Sequence, residues 1–177
     1  MKKRILSIVL CLVMVFSLLP FTASAASAIP INEETFPDPV FREYVLKIVG
    51  SSVLTEEKAQ QIEVLDVSDD NIKEVLGDRD PITSLMGIRY LRYVKDLNCS
   101  GQKLKKTLNL EQNSRVEKLN CSGNQLTGLW FHKGSSLKYL TCSVNEFTAL
   151  DLSKCSELIE LSCGSNKLTS LDLSANT

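Results

Sequence analysis

The sequence predicts an α/β repeat solenoid, in which short parallel strands stack coil on coil and a helical segment covers the N-terminal end. The main observation is a period: cysteine recurs at Cys99, Cys121, Cys142 and Cys163, at spacings of 22, 21 and 21 residues. The second is that each unit twice alternates apolar with other residues, as in a strand with one buried face. A unit of this length cannot bury that face alone, but stacked copies can.

Other positions of the unit line up around the cysteines. An amide stands three residues after each one: Gln102, Asn124, Asn145 and Asn166. A second apolar pair follows in each unit: Leu108/Leu110, Leu129/Phe131, Leu150/Leu152 and Leu171/Leu173. We expect two strands per unit, with leucine and cysteine pointing inward. The amides should bond the backbone groups that each turn of a solenoid leaves open.

The unit Leu-x-x-Leu-x-Cys-x-x-Asn-x-Leu, followed by Leu-Asp-Leu-Ser at Leu150–Ser153 and Leu171–Ser174, resembles the leucine-rich repeats of secreted bacterial proteins, in their short 21-residue subclass. The resemblance covers roughly residues 64–177. It implies a curved solenoid whose concave strand face binds another macromolecule. The departures are local: Gln102 replaces Asn, and Trp130 replaces the Asp of Leu-Asp-Leu.

Residues 1–25 have the pattern of a secretory signal peptide. Lys2, Lys3 and Arg4 precede a long apolar run that includes Cys11, and Ala23-Ser24-Ala25 is typical of a cleavage site. An uncleaved anchor is the alternative. After cleavage no other apolar stretch is long enough to span a bilayer. We therefore expect a secreted or cell-surface protein with no membrane contact once the signal is removed.

Residues 26–63 show no repeat and are predicted to form the helical N-terminal cap. Asp38-Pro39 is typical of a helix start, Gly50 of a helix stop, and Thr55-Glu56 of a second start. Repeats fill residues 64–177 as about five coils, the last of them incomplete. The first coil takes Val67 as the equivalent of Cys and Asp70 as the equivalent of the amide. Because the chain ends within a unit, we expect it to be part of a longer protein.

Composition and motifs favour no catalytic or metal chemistry. Lysine and arginine total 20 against 21 acidic residues, without a basic patch of the kind that binds nucleic acid. The four periodic cysteines are too far apart for a zinc site and are read as a ladder of buried free thiols. Cys155, in the opposite turn, is expected to be partly exposed. His132, the only histidine, is read as a solvated turn residue. We predict no enzyme activity, cofactor or metal.

The residues between the inward positions face outward and form three columns. Seven of them are the candidate ligand-binding residues: Asn98, Lys118, Asn120, Tyr139, Thr141, Glu160 and Ser162. The first column is Asp96, Lys118, Tyr139 and Glu160, the second Asn98, Asn120, Thr141 and Ser162, and the third Ser100, Ser122, Ser143 and Gly164. The middle column is uncharged and rich in hydrogen-bonding groups. Trp130 is a further candidate on the second-strand face, where it either contacts a ligand or covers a neighbouring coil. The columns fit an ordinary solvated strand face equally well.

The favoured hypothesis is an extracellular or cell-surface binding module for a protein or a polysaccharide, without nucleic acid as a partner. The alternative is a targeting module of a larger secreted enzyme whose catalytic domain follows residue 177. A purely structural spacer is a third possibility. These functional expectations rest on the fold resemblance, which by itself does not determine function.

Overall fold

The computed structural model describes residues 28–177, so the predicted signal peptide and Cys11 lie outside the described residues. The chain forms a parallel β-solenoid built on one five-stranded sheet. Its strands are β3 (Val64–Asp66), β4 (Asp96–Asn98), β6 (Lys118–Asn120), β8 (Tyr139–Thr141) and β9 (Glu160–Ser162). They lie side by side in this order, so each coil contributes one strand, and the predicted fold class is confirmed.

The inward row of the sheet is the one that the repeat predicts. The five central leucines are in register: Leu65, Leu97, Leu119, Leu140 and Leu161. The first four are buried, and so are Val67, Cys99, Cys121 and Cys142, which follow the strands. Leu161 and Cys163, in the last strand unit, are partly exposed. Burial of these stacked rows supplies the hydrophobic stabilisation that a single unit lacks.

The second strand of the unit forms in only two coils. β5 (Lys105–Leu110) and β7 (Gln125–Phe131) pair in parallel as a separate two-stranded sheet. The expectation of a second strand in every unit is wrong for the segments at Leu150/Leu152 and Leu171/Leu173, which have no strand structure. Leu150 and Leu152 are nevertheless buried. Their apolar alternation therefore reports burial against the core, and it is satisfied without ladder hydrogen bonds.

Two helices occupy the N-terminal segment at the predicted starts. α1 (Pro39–Val49) begins after Asp38, whose carboxylate accepts from the backbone N–H groups of Val40 and Phe41, and ends at Gly50 in a left-handed conformation. α2 (Glu56–Gln60) begins after Thr55. A short antiparallel pair, β1 (Ile29–Pro30) with β2 (Val53–Leu54), flanks α1. The apolar side of α1 joins the same core as the first coil.

The first coil departs most from the repeat. Val67 occupies the place of the cysteine as expected, but α3 (Asp69–Leu76) follows it where the later coils have an extended segment. Asp70 is exposed, so its assignment to the buried amide position is wrong. After an exposed loop at residues 77–80, the chain returns through residues 82–91, with a single 3₁₀ turn at Ile88–Tyr90. This return segment lies beside the second coil without pairing as a strand.

Between residues 28 and 177, no helix combines the length and the apolar character that crossing a bilayer would require.

Candidate ligand-binding face

The three outward columns exist as the sequence predicts. Strand register places Asp96, Lys118, Tyr139 and Glu160 in one line, and Asn98, Asn120, Thr141 and Ser162 in the next. We call the outward side of β3, β4, β6, β8 and β9 the strand face. Seven of the eight candidate residues lie on it: Asn98, Lys118, Asn120, Tyr139, Thr141, Glu160 and Ser162.

The first column carries the largest exposed groups of the strand face. Tyr139 is 36% exposed, and the ammonium of Lys118 lies 5.7 Å from the centroid of its ring. This is a cation–π distance, and at an exposed site such a contact contributes roughly 0.5–1 kcal/mol. Glu160 is the register partner of Tyr139 on the other side. Tyr139 therefore stands in the column between a lysine and a glutamate.

Two residues of the middle column also stabilise the turns that follow their strands. Asn98 Oδ1 accepts from the backbone N–H of Ser100 at 3.2 Å and from its hydroxyl at 2.8 Å. Asn120 Oδ1 accepts in the same way from Ser122, at 3.2 and 2.6 Å. These local bonds hold the turn that ends each strand. What the two residues offer a ligand is therefore the amide nitrogen.

Sequence reasoning missed the first member of two of the three columns. Val64 and Asp66 in β3 are the register partners of Asp96 and Asn98. Val64 is 68% exposed and gives the strand face an apolar end. Asp66 adds a charged end to the middle column, whose four predicted members are uncharged. The signal was in the sequence, because matching Val67 to Cys99 also matches Asp66 to Asn98.

A row of charges borders the strand face just before the strands begin. Glu63 and Lys95 form an ion pair of 2.8 Å, and Glu117 and Lys138 form one of 2.9 Å. The hydrogen bond from Lys138 lowers the pKa of the Glu117 carboxyl below its usual value. In the next coil Ile159 takes this place and is exposed. This border is therefore neutralised by pairing in the first four coils and apolar in the last.

The predicted amide ladder beneath the strand face is confirmed. Asn124 donates from Nδ2 to the carbonyl oxygens of Cys99 at 2.9 Å and Cys121 at 3.1 Å, and its Oδ1 accepts from the N–H of Leu104 at 3.0 Å. Asn145 and Asn166 repeat the arrangement one and two coils on. Gln102 bridges the first and second coils in the same manner. Each amide thus joins two successive coils and fixes the spacing of the columns above it.

The cysteines behave as core residues. All five in the described chain are free thiols. Burial raises the pKa of Cys99 and of Cys142 to about 12, and raises that of Cys121 well above its ordinary value. The expectation of a partly exposed Cys155 is wrong. Its side chain is fully buried, because the turn that carries it packs against the next one, where Asn176 donates to the Cys155 carbonyl at 2.6 Å.

Two further residues lie away from the strand face. Trp130 belongs to β7, pairs in register with Asn109 of β5, and is 55% exposed. It is therefore not brought together with the other seven candidates. His132 is exposed in the turn after β7. Within residues 28–177 no cluster of three histidine, cysteine or acidic side chains has the geometry to hold a metal ion.

Solved structures similar to the chain include two from the bacterium Listeria monocytogenes. The functional domain of InlJ from Listeria monocytogenes, which includes a cysteine ladder, is 30% identical to the chain with a TM-score of 0.70, over 86% of this chain and 32% of its own length. The chain has the leucine-rich-repeat fold. The internalin InlF from Listeria monocytogenes is 22% identical with a TM-score of 0.55, over 84% of this chain and 39% of its own, and so supports the fold alone.

The chain therefore spans about a third of the length of these two structures. No protein-family model matches the sequence, and no curated protein does either.

Proposed function

We propose that the solenoid is a protein-binding module and that the strand face carries the contact. The observation that supports this most directly is the register of exposed residues across five parallel strands. The leucine, cysteine and amide rows below already provide the packing and backbone bonds that the fold needs. The first column, which makes none of these bonds, is therefore free to vary without loss of the fold, which is the property a recognition surface requires.

Tyr139 is the proposed centre of the contact. Interface centres are enriched in tyrosine, which provides a large contact area and a hydroxyl with few rotatable bonds. Lys118 and Glu160 flank the ring, and Thr141 stands two residues further along the same strand. A ligand that covers the ring would meet both charges, so we expect it to present complementary charges around an apolar or aromatic group.

The wider setting belongs to the same proposal. From the sequence pattern we further infer that a leader is cleaved after residue 25 and that the protein is secreted or lies at the cell surface. From the same pattern we infer that the repeats belong to the 21-residue subclass and that α1 and α2 form a cap. The same holds for a polysaccharide as the ligand and for the absence of enzyme activity. The alternative of a targeting module in a larger secreted enzyme would use the same strand face.

The experiment is a paired screen. The purified protein and the double variant Lys118→Glu/Tyr139→Ser are applied to arrays of extracellular protein domains and of glycans. We expect a protein domain that binds the wild type and loses at least about tenfold in affinity with the double variant, as removal of a binding hot spot would cause.

Trp130→Ser is the matched control, because it removes an exposed aromatic residue from the other sheet. Ligands that respond to Trp130→Ser and ignore the double variant would refute the assignment to the strand face. If the double variant selectively lost binding to a glycan instead of a protein, the strand face would remain the binding surface, but its ligand would be a glycan. Absence of any binding at high micromolar concentrations would contradict the proposal altogether.

A further inference from the structure

A second surface, separate from the strand face, carries a groove. A groove of about 520 Å³ runs between the return segment of the first coil, at residues 83–89, and strand β5. Its volume falls within the range of roughly 300–1,000 Å³ that ligand sites occupy. The buried side chains of Leu85, Leu104 and Leu108 line it, and Met86, 59% exposed, stands in its wall.

One side of this groove is the free edge of a strand. β5 pairs with β7 on one side only, and the two form a sheet of just two strands in the described chain. Lys103 donates from its backbone N–H to the carbonyl of Ile82 at 3.0 Å, and beyond this bond the described backbone shows no hydrogen bond between residues 83–89 and β5. Alternate backbone groups of β5 therefore face the groove without a protein partner, as at any sheet edge.

The opposite wall is held in place at both ends. Asp38 Oδ2 accepts from the backbone N–H groups of Thr83 at 2.9 Å and Ser84 at 3.2 Å. Asn113 Nδ2 donates to the carbonyl of Ile88 at 3.0 Å. Gly87 lies so close to Phe36 that an added Cβ would stand 2.5 Å from its ring. The groove is therefore preformed, which lowers the entropic cost of filling it.

The charges around the groove have one predominant sign. Arg89 and Lys105 line it, Lys103 lies two residues before β5, and Lys106 is the second residue of β5. Among the ion pairs of residues 28–177, none involves these four side chains. Glu111, the acidic residue of the lining, lies 3.8 Å from Lys154. The chain as a whole has a net charge of −1, so this local excess of positive charge is complementary to an acidic ligand.

We propose that the groove binds an extended acidic segment of a partner protein, which adds a strand to the free edge of β5. Backbone hydrogen bonds would come from β5, apolar contacts from the leucine floor, and charge contacts from Arg89 and Lys105. A second copy of the chain does not fit, because the strand it would add, its own β5, carries the same positive charges at Lys105 and Lys106. The bulge between Lys106 and Thr107 limits regular pairing to the four residues Thr107–Leu110.

The test uses a fluorescein-labelled peptide of six residues in which valine and glutamate alternate, with fluorescence anisotropy as the readout. We expect saturable binding to the purified protein, at least about tenfold weaker for the peptide in which lysine replaces glutamate. Methylation of every backbone nitrogen in the peptide should abolish binding, because it removes the donors that a strand addition needs whichever alternate set faces β5. Peptide binding that survives this methylation would show simple charge attraction and overturn the proposal.

Variants locate the site. Lys105→Glu should weaken binding of the acidic peptide about fivefold or more, whereas Lys133→Glu, an exposed lysine at the turn after β7 that also lacks an ion pair, should leave it unchanged. Equal effects of the two substitutions would overturn the proposal. So would no binding at millimolar peptide, in which case the lysines of β5 serve only to keep a sheet edge from pairing. Tyr139→Ser should not alter peptide binding, so the groove proposal and the strand-face proposal can each be refuted without affecting the other.

Discussion

The regular coils and the irregular N-terminal region both use side-chain hydrogen bonds to join separate backbone segments, but the side chains are amides in the coils and a carboxylate in the N-terminal region. In residues 94–168 a neutral amide in each unit joins one coil to the coil before it, as Asn124 and Asn145 do. In the N-terminal region a single carboxylate, Asp38, accepts from two N–H groups of α1 and from Thr83 and Ser84, which lie 45 and 46 residues further along the chain. Periodic structure allows the same short connection to repeat, whereas an irregular junction depends on one charged residue with many partners.

The largest expected effect is therefore at Asp38. Asp38→Ala removes the cap of α1 and leaves the N–H groups of Thr83 and Ser84, which are only partly shielded from solvent, without their acceptor. We expect a loss of about 3–4 kcal/mol in the free energy of unfolding, since a cap contributes about 1 kcal/mol and each partly buried donor that loses a charged acceptor costs about 1–1.5 kcal/mol. Urea unfolding followed by circular dichroism measures it.

Two controls sharpen the result at Asp38. Asp38→Asn keeps one acceptor oxygen but turns an N–H donor toward the other partners. It should therefore lower the free energy of unfolding by less, about 2 kcal/mol. Asp78→Ala changes an exposed acid in the loop at residues 77–80 and should stay within about 0.5 kcal/mol. A loss at Asp38→Ala as small as that at Asp78→Ala would show that the junction does not depend on the carboxylate.

The amide ladder should respond less at any one position, because each amide serves only two coils. Asn124→Ala removes the donor to Cys99 and Cys121 and the acceptor for Leu104, and we expect a loss of about 2–3 kcal/mol in the same unfolding measurement. Asn124→Gln is the matched control, since Gln102 already fills this position one coil earlier. If the alanine variant unfolds like the wild type, the ladder is not what fixes the coil spacing.

The cysteine rows of the regular coils should make stability fall at high pH. The pKa of Cys142 is about 12 in the folded protein, against an ordinary value of 9.0. Between these values the unfolded chain loses its thiol proton while the folded chain keeps it, so stability decreases as pH rises from 9 toward 12. At pH 10 the difference is about 1.4 kcal/mol for one such thiol.

The check is to compare wild type with Cys142→Ala in urea at pH 8 and pH 10. The variant is less stable than the wild type at both pH values, because it loses packing. Its free energy of unfolding should, however, fall by about 1 kcal/mol less than that of the wild type between pH 8 and pH 10. Lysine and tyrosine side chains titrate in both proteins alike and cancel in the comparison. An identical pH dependence would contradict a neutral, buried thiol at this position.

The same contrast explains how much of the molecule the sequence could predict. Leucine, cysteine and the amides recur at a fixed spacing, so their inward position and the outward columns between them follow from local pattern alone. Asp38 could be recognised as a helix cap, but its contacts with Thr83 and Ser84 cross 45 residues and have no local signature. The groove beside β5 depends on such long-range contacts, since the return segment is shaped by Asp38, Gly87 and Asn113.

The failures at the site have physical causes of their own. Asp66 and Val64 were left out of the columns because the columns were built on the cysteine units, and the first coil has Val67 in place of cysteine and a spacing of 32 residues to Cys99. Cys155 was expected to be partly exposed because a turn is ordinarily at the surface, but here successive turns stack on one another and bury it. A repeat pattern thus predicts the stacked rows well and predicts poorly where one row is interrupted or covered.

The smallest expected effect tests whether the regular coils are strained where their sequence departs from the repeat. The residue that follows each third-column position has a positive φ, and it is Gly101 and Gly123 in two coils but Val144, at 56°, in the next. A β-branched residue is rarely stable in this conformation, and Val144 is also 57% exposed. Val144→Gly should therefore raise the free energy of unfolding by roughly 0.5–1 kcal/mol, despite the greater flexibility that glycine gives the unfolded chain.

The reverse substitution, glycine to valine, can be made at Gly123, the equivalent of Val144 in the preceding coil, and measured in the same way. A Cβ at Gly123 would meet the backbone of Gly101 at 3.5 Å, an ordinary contact, so Gly123→Val isolates the conformational cost and should destabilise by about 1 kcal/mol. Opposite signs for the two substitutions would place the strain in the backbone of the turn. If Val144→Gly is instead destabilising, the exposed valine contributes contacts that outweigh its strain, and the regular coils are as dependent on single residues as the junction at Asp38.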